Sequence, residues 1–128
     1  MTIGKVAKAA GVPASAIRYY ESTGIIPKPM RKNGVRQYGP DAIDELKALR
    51  FYRASGVPIR GLAAIGAQPR GTRARGAVWA EVIRARINDL DTWMQEAGKT
   101  KELLEQVIAC RCNGRRERCE VMRVVDAM

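Results

Sequence analysis

The 128 residues predict a mainly α-helical chain in which two short helices and a basic β-hairpin precede a long heptad helix. Three observations carry that expectation. Two short stretches of helical apolar spacing meet across Gly11, and Asn33-Gly34 stands between two runs that hold β-branched and basic residues. From Ile83 to Ile108, apolar side chains recur at alternating steps of four and three. In fold terms this is a winged helix-turn-helix domain followed by a long coiled-coil dimerisation helix.

The elements follow in order. In TIGKVAKAA, apolar Ile3, Val6, Ala7 and Ala10 share a helix face behind Thr2 as N-cap, and Gly11 supplies the stop. Ser15 caps or opens a second short helix, SAIRYYE, which ends near Gly24. In IIPKPMRKNGVRQYG the Asn-Gly pair predicts a tight turn between short strands, because such a turn needs residues that tolerate positive φ. Pro40 opens a third helix with acidic residues in its first turns and Lys47, Arg50 and Arg53 toward its end, the polarity favoured by the helix dipole. Gly56 closes it, and VPIRGLAAIGA predicts a short fourth helix.

Residues 68–76, QPRGTRARG, lack apolar periodicity and read as a connection. From 77 to about 109, Ile83, Ile87, Leu90, Met94, Ala97, Leu104 and Ile108 form a heptad seam, with Lys101 in the one polar place and Gly98 as a local weak point. A helix of that length spans on the order of 50 Å, whereas the preceding segment makes a domain of roughly 12 Å radius of gyration. One such domain cannot cover the seam, which predicts a homodimer. The expected division is therefore 1–67, 68–76, 77–109 and a cysteine-bearing segment 110–128.

Charge indicates the class of partner. Of the 23 Lys and Arg, 14 lie in residues 1–76 against 4 Asp and Glu, while residues 77–128 hold 9 of each sign. The excess of +10 thus sits wholly in the first part, which points to a polyanion, nucleic acid first. No apolar run is long enough to span a bilayer and the first residues are too polar for a secretory signal, so a cytoplasmic protein without membrane association is expected. An enzyme is the weakest class: there is no histidine, no Gly-rich phosphate loop and no paired acid in a plausible pocket.

The run IGKVAKAAGVPASAIRYYESTGIIPKPMRKNGVRQYGPDAIDELKALRFYRASG resembles the DNA-binding region of the MerR family of bacterial transcription regulators. Its most telling pieces are Arg18-Tyr19-Tyr20-Glu21, the NGVRQY wing and VPIRGLAAI ahead of the long helix. The resemblance implies a homodimer with antiparallel long helices on a pseudo-palindromic double-stranded promoter site. It also implies that effector binding makes the dimer distort the DNA so that RNA polymerase engages both promoter elements, a form of indirect readout. The matching DNA-contact positions are Ser15, Arg18 and Tyr20 on the recognition helix and Arg31, Arg36 and Tyr38 on the wing. Tyr19 reads equally as core or contact, Arg50 and Arg53 as wing braces or phosphate contacts, and Lys5 and Lys8 as a solvated face.

All three cysteines fall in ACRCNGRRERCEVM, residues 109–122. Thiolates suit soft ions, and the four neighbouring arginines favour the thiolate form. The resemblance implies that Cys110 and Cys119, with eight residues between them, match the metal-ligand pair of the metal-sensing members, with a short helix EVMRVV after them. Cys112 is a further thiol. With no histidine, and no cysteine in RARGAVW at the start of the long helix, a thiophilic ion of Cu(I) or Hg(II) type is favoured over Zn(II). Three alternatives stand beside it. A [2Fe-2S] cluster fits less well, since C-x-C-x6-C departs from the four-cysteine pattern of the oxidative-stress branch and Val107 stands where its first Cys would be. A thiol switch against Cys119 is a redox reading, and a ligand-free architectural DNA-binding protein would need no cysteine loop.

Overall fold

The structure, a computed structural model, describes residues 1–110 together with 114 and 115. The described chain runs α1 (Ile3–Ala10), α2 (Ala14–Ser22), β1 (Met30–Lys32), β2 (Val35–Gln37), α3 (Asp41–Ala54), α4 (Ile59–Gly66) and α5 (Arg73–Ala109). It divides into two compact units, the first ending at Arg86 and the second beginning at Ile87.

In the first unit, Thr2 Oγ1 accepts the Lys5 N–H at 3.5 Å and Gly11 ends α1 at φ 70°, a conformation that glycine adopts without a Cβ penalty. Helix α2 starts at Ala14, one residue before Ser15, with Pro13 as an N-cap that lends no side-chain bond. It closes with the Ser22 and Thr23 hydroxyls both donating to Tyr19 O. The hairpin is antiparallel in the register Met30↔Gln37, Arg31↔Arg36, Lys32↔Val35. Asn33 and Gly34 take φ 52° and 79°, the pair of positive values a type I′ turn requires. Backbone bonds Tyr38 N–H to Met1 O (2.8 Å) and Met1 N to Tyr38 O (3.0 Å) tie the end of the wing to the start of the chain.

Helix α1 packs on α2 and α3, and Val6, Ile17 and Leu46 are the largest side chains wholly enclosed between them. Helix α4 adds Leu62 and Ile65. Its last residue, Gly66, admits no side chain: a Cβ there would stand 2.7 Å from Gly24 O and 2.8 Å from Ile25 O. That close approach seats α4 on the turn leaving α2.

Two sequence expectations change here. Helix α5 begins at Arg73, inside the stretch expected as a connection, because Thr72 Oγ1 accepts the Arg75 N–H (3.2 Å) and supplies the cap. The rest of that stretch is also held, with Arg70 on Glu45 at 2.5–2.6 Å and Arg75 on Gln68 O at 2.9 Å. Ile83, placed in the seam, instead packs with Val78 and Val82 against the core of the first unit.

In the second unit the described residues are helical to Ala109 and none is buried. Ile87, Leu90, Met94, Leu104 and Ile108 all remain exposed, Ile108 at 87%. Large apolar side chains repeated along one exposed face are the mark of a surface that another protein face covers. Among the described residues no helix is long and apolar enough to cross a membrane.

Candidate nucleic-acid interface and cysteine segment

Helix α2 sorts its side chains by face. Ile17, Tyr20 and Glu21 point into the core, while Ser15, Arg18, Tyr19 and Ser22 lie on the exposed side at helical spacing. Ser15 stands in the first turn, where amide N–H groups and the helix dipole favour an anion. The wing meets this face from the other direction. Arg31 and Arg36 are directly opposite across the hairpin and therefore share one side of it. Arg18, Glu21, Ser22, Lys28, Pro29, Arg31 and Arg36 together line a cleft of about 500 Å³. Four cations against one carboxylate is a repulsive arrangement in isolation, and a phosphate backbone relieves it.

The carboxylate is the best-buried charge of the described chain. Glu21, 7% exposed, accepts Arg36 Nε–H at 3.1 Å and the Tyr38 hydroxyl on its other oxygen. Burial is the main reason that the Tyr38 phenol is pushed up to about 12, and the hydrogen bond to and negative charge of Glu21 add to it. Arg36 and Arg18 act in the opposite sense. A folded-state value above the unfolded one of 10 means that the native state holds the proton more tightly, so stability is complete below pH 10 and is lost as pH rises toward about 12. The loss should be on the order of 3 kcal/mol. Chemical denaturation across that interval should show it, and Tyr38→Phe should flatten the slope.

Tyr20 and Tyr38, expected at the DNA-facing surface, are largely enclosed. They are 8% and 7% exposed, their rings belong to the core cluster, and the Tyr38 hydroxyl is already given to Glu21. Tyr19 is the exposed tyrosine of the pair, at 49%. Arg50 and Arg53 do not brace the wing: Arg50 donates to Ala10 O (3.4 Å) and Arg53 to Val57 O (3.0 Å), tying down the end of α1 and the α3–α4 turn. Ser15, Arg18, Arg31 and Arg36 remain at or near the surface. Lys28, Ser22 and Glu21 join the site without having been read from the sequence. For Glu21 a signal existed: it falls four residues after Ile17, on the buried stripe of α2, where a charge demands a partner.

At the end of α5, Cys110 is half-buried and its N–H reaches Val107 O at 3.3 Å. Cys112 and Cys119, and the short helix expected after them, lie outside the described residues. Among the described residues no group of three or more Cys, His, Asp or Glu is gathered to hold a metal ion.

A small helical core that presents the exposed face of one short helix beside a basic two-stranded wing is a winged helix-turn-helix, the scaffold of a DNA-binding regulator. Residues 1–68 match the model of the MerR HTH family of regulatory proteins. The chain is also 30% identical over 127 residues to the HTH-type transcriptional activator SoxR homolog of Chromobacterium violaceum, covering 98% of this chain and 85% of that one. It belongs to the MerR family, whose members are transcription regulators and not enzymes. It is 26% identical to the mercuric resistance operon regulatory protein of Pseudomonas fluorescens, over 91% of this chain and 79% of the relative. The solved transcription regulator PbrR691 of Ralstonia metallidurans CH34, in complex with lead(II), superposes with a TM-score of 0.61 at 28% identity over 98% of both chains.

Proposed function

We propose that the protein is a cytoplasmic, effector-responsive transcription regulator that binds a pseudo-palindromic promoter site as a homodimer and distorts the DNA when a thiophilic metal ion binds its cysteine segment. The observation that carries the DNA half is the cleft in which Arg18, Lys28, Arg31 and Arg36 converge from α2 and the wing. Ser15, Arg18, Arg31 and Arg36 make the DNA contacts, while Tyr20 and Tyr38 act from the core by holding the face that presents them. The exposed apolar face from Ile87 to Ile108 supports pairing of two chains along α5. Residues 1–67 serve DNA contact, the stretch from 68 to the start of α5 at Arg73 connects, the exposed face of α5 from Ile87 onward serves dimerisation and 110–128 sensing, with RNA polymerase the partner at the promoter.

Cys110 and Cys119, with Cys112 available, would hold the ion. Their donor chemistry fits a soft cation, and Cys110 is the ligand whose setting is described, half-buried just after the end of α5. Bound there, the ion would supply a soft Lewis-acid centre that those thiolates would hold. The mercury- and lead-associated relatives support metal as the effector class, and the SoxR homolog keeps a redox or [2Fe-2S] reading as the second.

One experiment separates these readings. Purified protein is inspected for iron by visible absorption, then titrated with Cu(I), Hg(II) and Zn(II) in a run-off transcription assay. The expected result is a colourless protein activated by a soft ion well before Zn(II). Iron-type absorption that bleaches on reduction would transfer the assignment to the cluster reading.

A further inference from the structure

The Tyr38–Glu21–Arg36 chain is unusual for its location. A surface that binds phosphates gains nothing electrostatically from a carboxylate beneath its arginines, and a buried ion pair is by itself weak evidence of stabilisation. Its geometry suggests a different use. Glu21 sits on the recognition helix, while Arg36 and Tyr38 come from the wing strand and the residue after it, 15 and 17 positions along the chain. Glu21 takes the Nε–H of Arg36, which leaves the terminal Nη donors for a phosphate, the end-on fork that guanidinium uses best. The Tyr38 hydroxyl occupies the second oxygen of Glu21 and so fixes the carboxylate itself. Arg31, across the hairpin from Arg36, has a local anchor instead, Gly34 O at 3.1 Å within its own turn.

We infer that Glu21, set by Tyr38, is the positioning residue of the DNA interface. It aims Arg36 at a phosphate and locks the wing to the recognition helix, so that the two DNA-contacting elements act as one rigid unit. The inference rests on the reading of Arg36 as a DNA contact. Its energetic basis is preorganisation: a long side chain already held in its bound geometry has less freedom to lose on binding.

The test uses the full-length protein and a promoter fragment selected from a random duplex pool by the unaltered protein, with affinities read by fluorescence anisotropy at fixed salt. Four proteins form a cycle: unaltered, Glu21→Gln, Arg36→Ala and the double variant. Charge alone predicts that Glu21→Gln tightens binding, since it removes a negative group beneath the arginines of the cleft. Positioning predicts a loss of about 3- to 10-fold, the scale of ordering one long side chain. That loss should disappear in the Arg36→Ala background. Tyr38→Phe, which keeps the ring and removes the hydroxyl, should show a smaller loss that also disappears with Arg36→Ala, and it carries the test if Glu21→Gln unfolds in a thermal melt. Tighter binding by Glu21→Gln, or equal losses with and without Arg36, would overturn the inference while leaving the DNA interface standing. If Arg36→Ala alone binds like the unaltered protein, Arg36 is no DNA contact and the inference fails along with that part of the interface.

Discussion

Raising the salt from about 50 to 200 mM should weaken promoter binding by roughly 10⁴-fold. Four cations per chain line the cleft, so a dimer that binds through both clefts would engage about eight phosphates, and the slope of log affinity against log salt should be about −7. Arg18→Ala, which removes one cation from each half of the dimer, should reduce the slope by about 2 and weaken binding similarly on matched and mismatched duplexes if its contact is to phosphate. If Arg18 instead reads a base, the same substitution should relax preference at one position of each half-site and cost about 1–3 kcal/mol there. A flat salt response of the unaltered protein would remove the cleft from the DNA interface altogether.

The second large effect concerns the cysteines. Cys110→Ser and Cys119→Ser should each abolish effector-dependent transcription while leaving effector-free DNA affinity within about 2-fold, since surface changes away from the contacts act weakly. A serine oxygen is a hard, poorly ionised donor in place of a soft thiolate, so the loss of ion affinity should exceed the roughly 10- to 100-fold seen when only a supporting partner of a ligand is removed. Cys112→Ser then divides the two ligand counts: an unchanged response means two thiolates suffice, and a loss equal to the others means three are used. Full response retained by both Cys110→Ser and Cys119→Ser would sink the sensor reading and raise that of a ligand-free architectural protein.

Much of the fold was legible because its turns are decided locally. Asn33-Gly34 makes a type I′ turn on its own chemistry, and Gly11 ends α1 through a conformation that other residues resist. The bounds of α3 follow from Pro40 and from Gly56 at φ 85° in the same way. The cations that gather in the cleft were legible as a basic cluster too, since Arg18, Arg31 and Arg36 stand in a part of the chain with few acids to pair them.

Other features depend on partners distant in sequence. The start of α5 was misplaced because Thr72 caps it from within a Gly- and Arg-rich stretch that reads as loop. Ile83 satisfies the heptad spacing and the core of the first unit equally well, and only packing shows that it serves the core. Tyr20 and Tyr38 carry a polar tip on a large ring, so composition does not say which end the fold uses. Gly66 has no local cause, because the backbone it nearly touches belongs to Gly24 and Ile25.

By itself, then, the sequence determined the order of elements, the wing, the family and the basic character of the DNA-facing half, all of which follow from local conformational limits and uncompensated charge. Tertiary structure alone decided that Glu21 is buried and that Tyr38 and Arg36 both donate to it. The physical reason is that a buried carboxylate is tolerable only where its partners arrive, and those partners come from a different element brought alongside by folding.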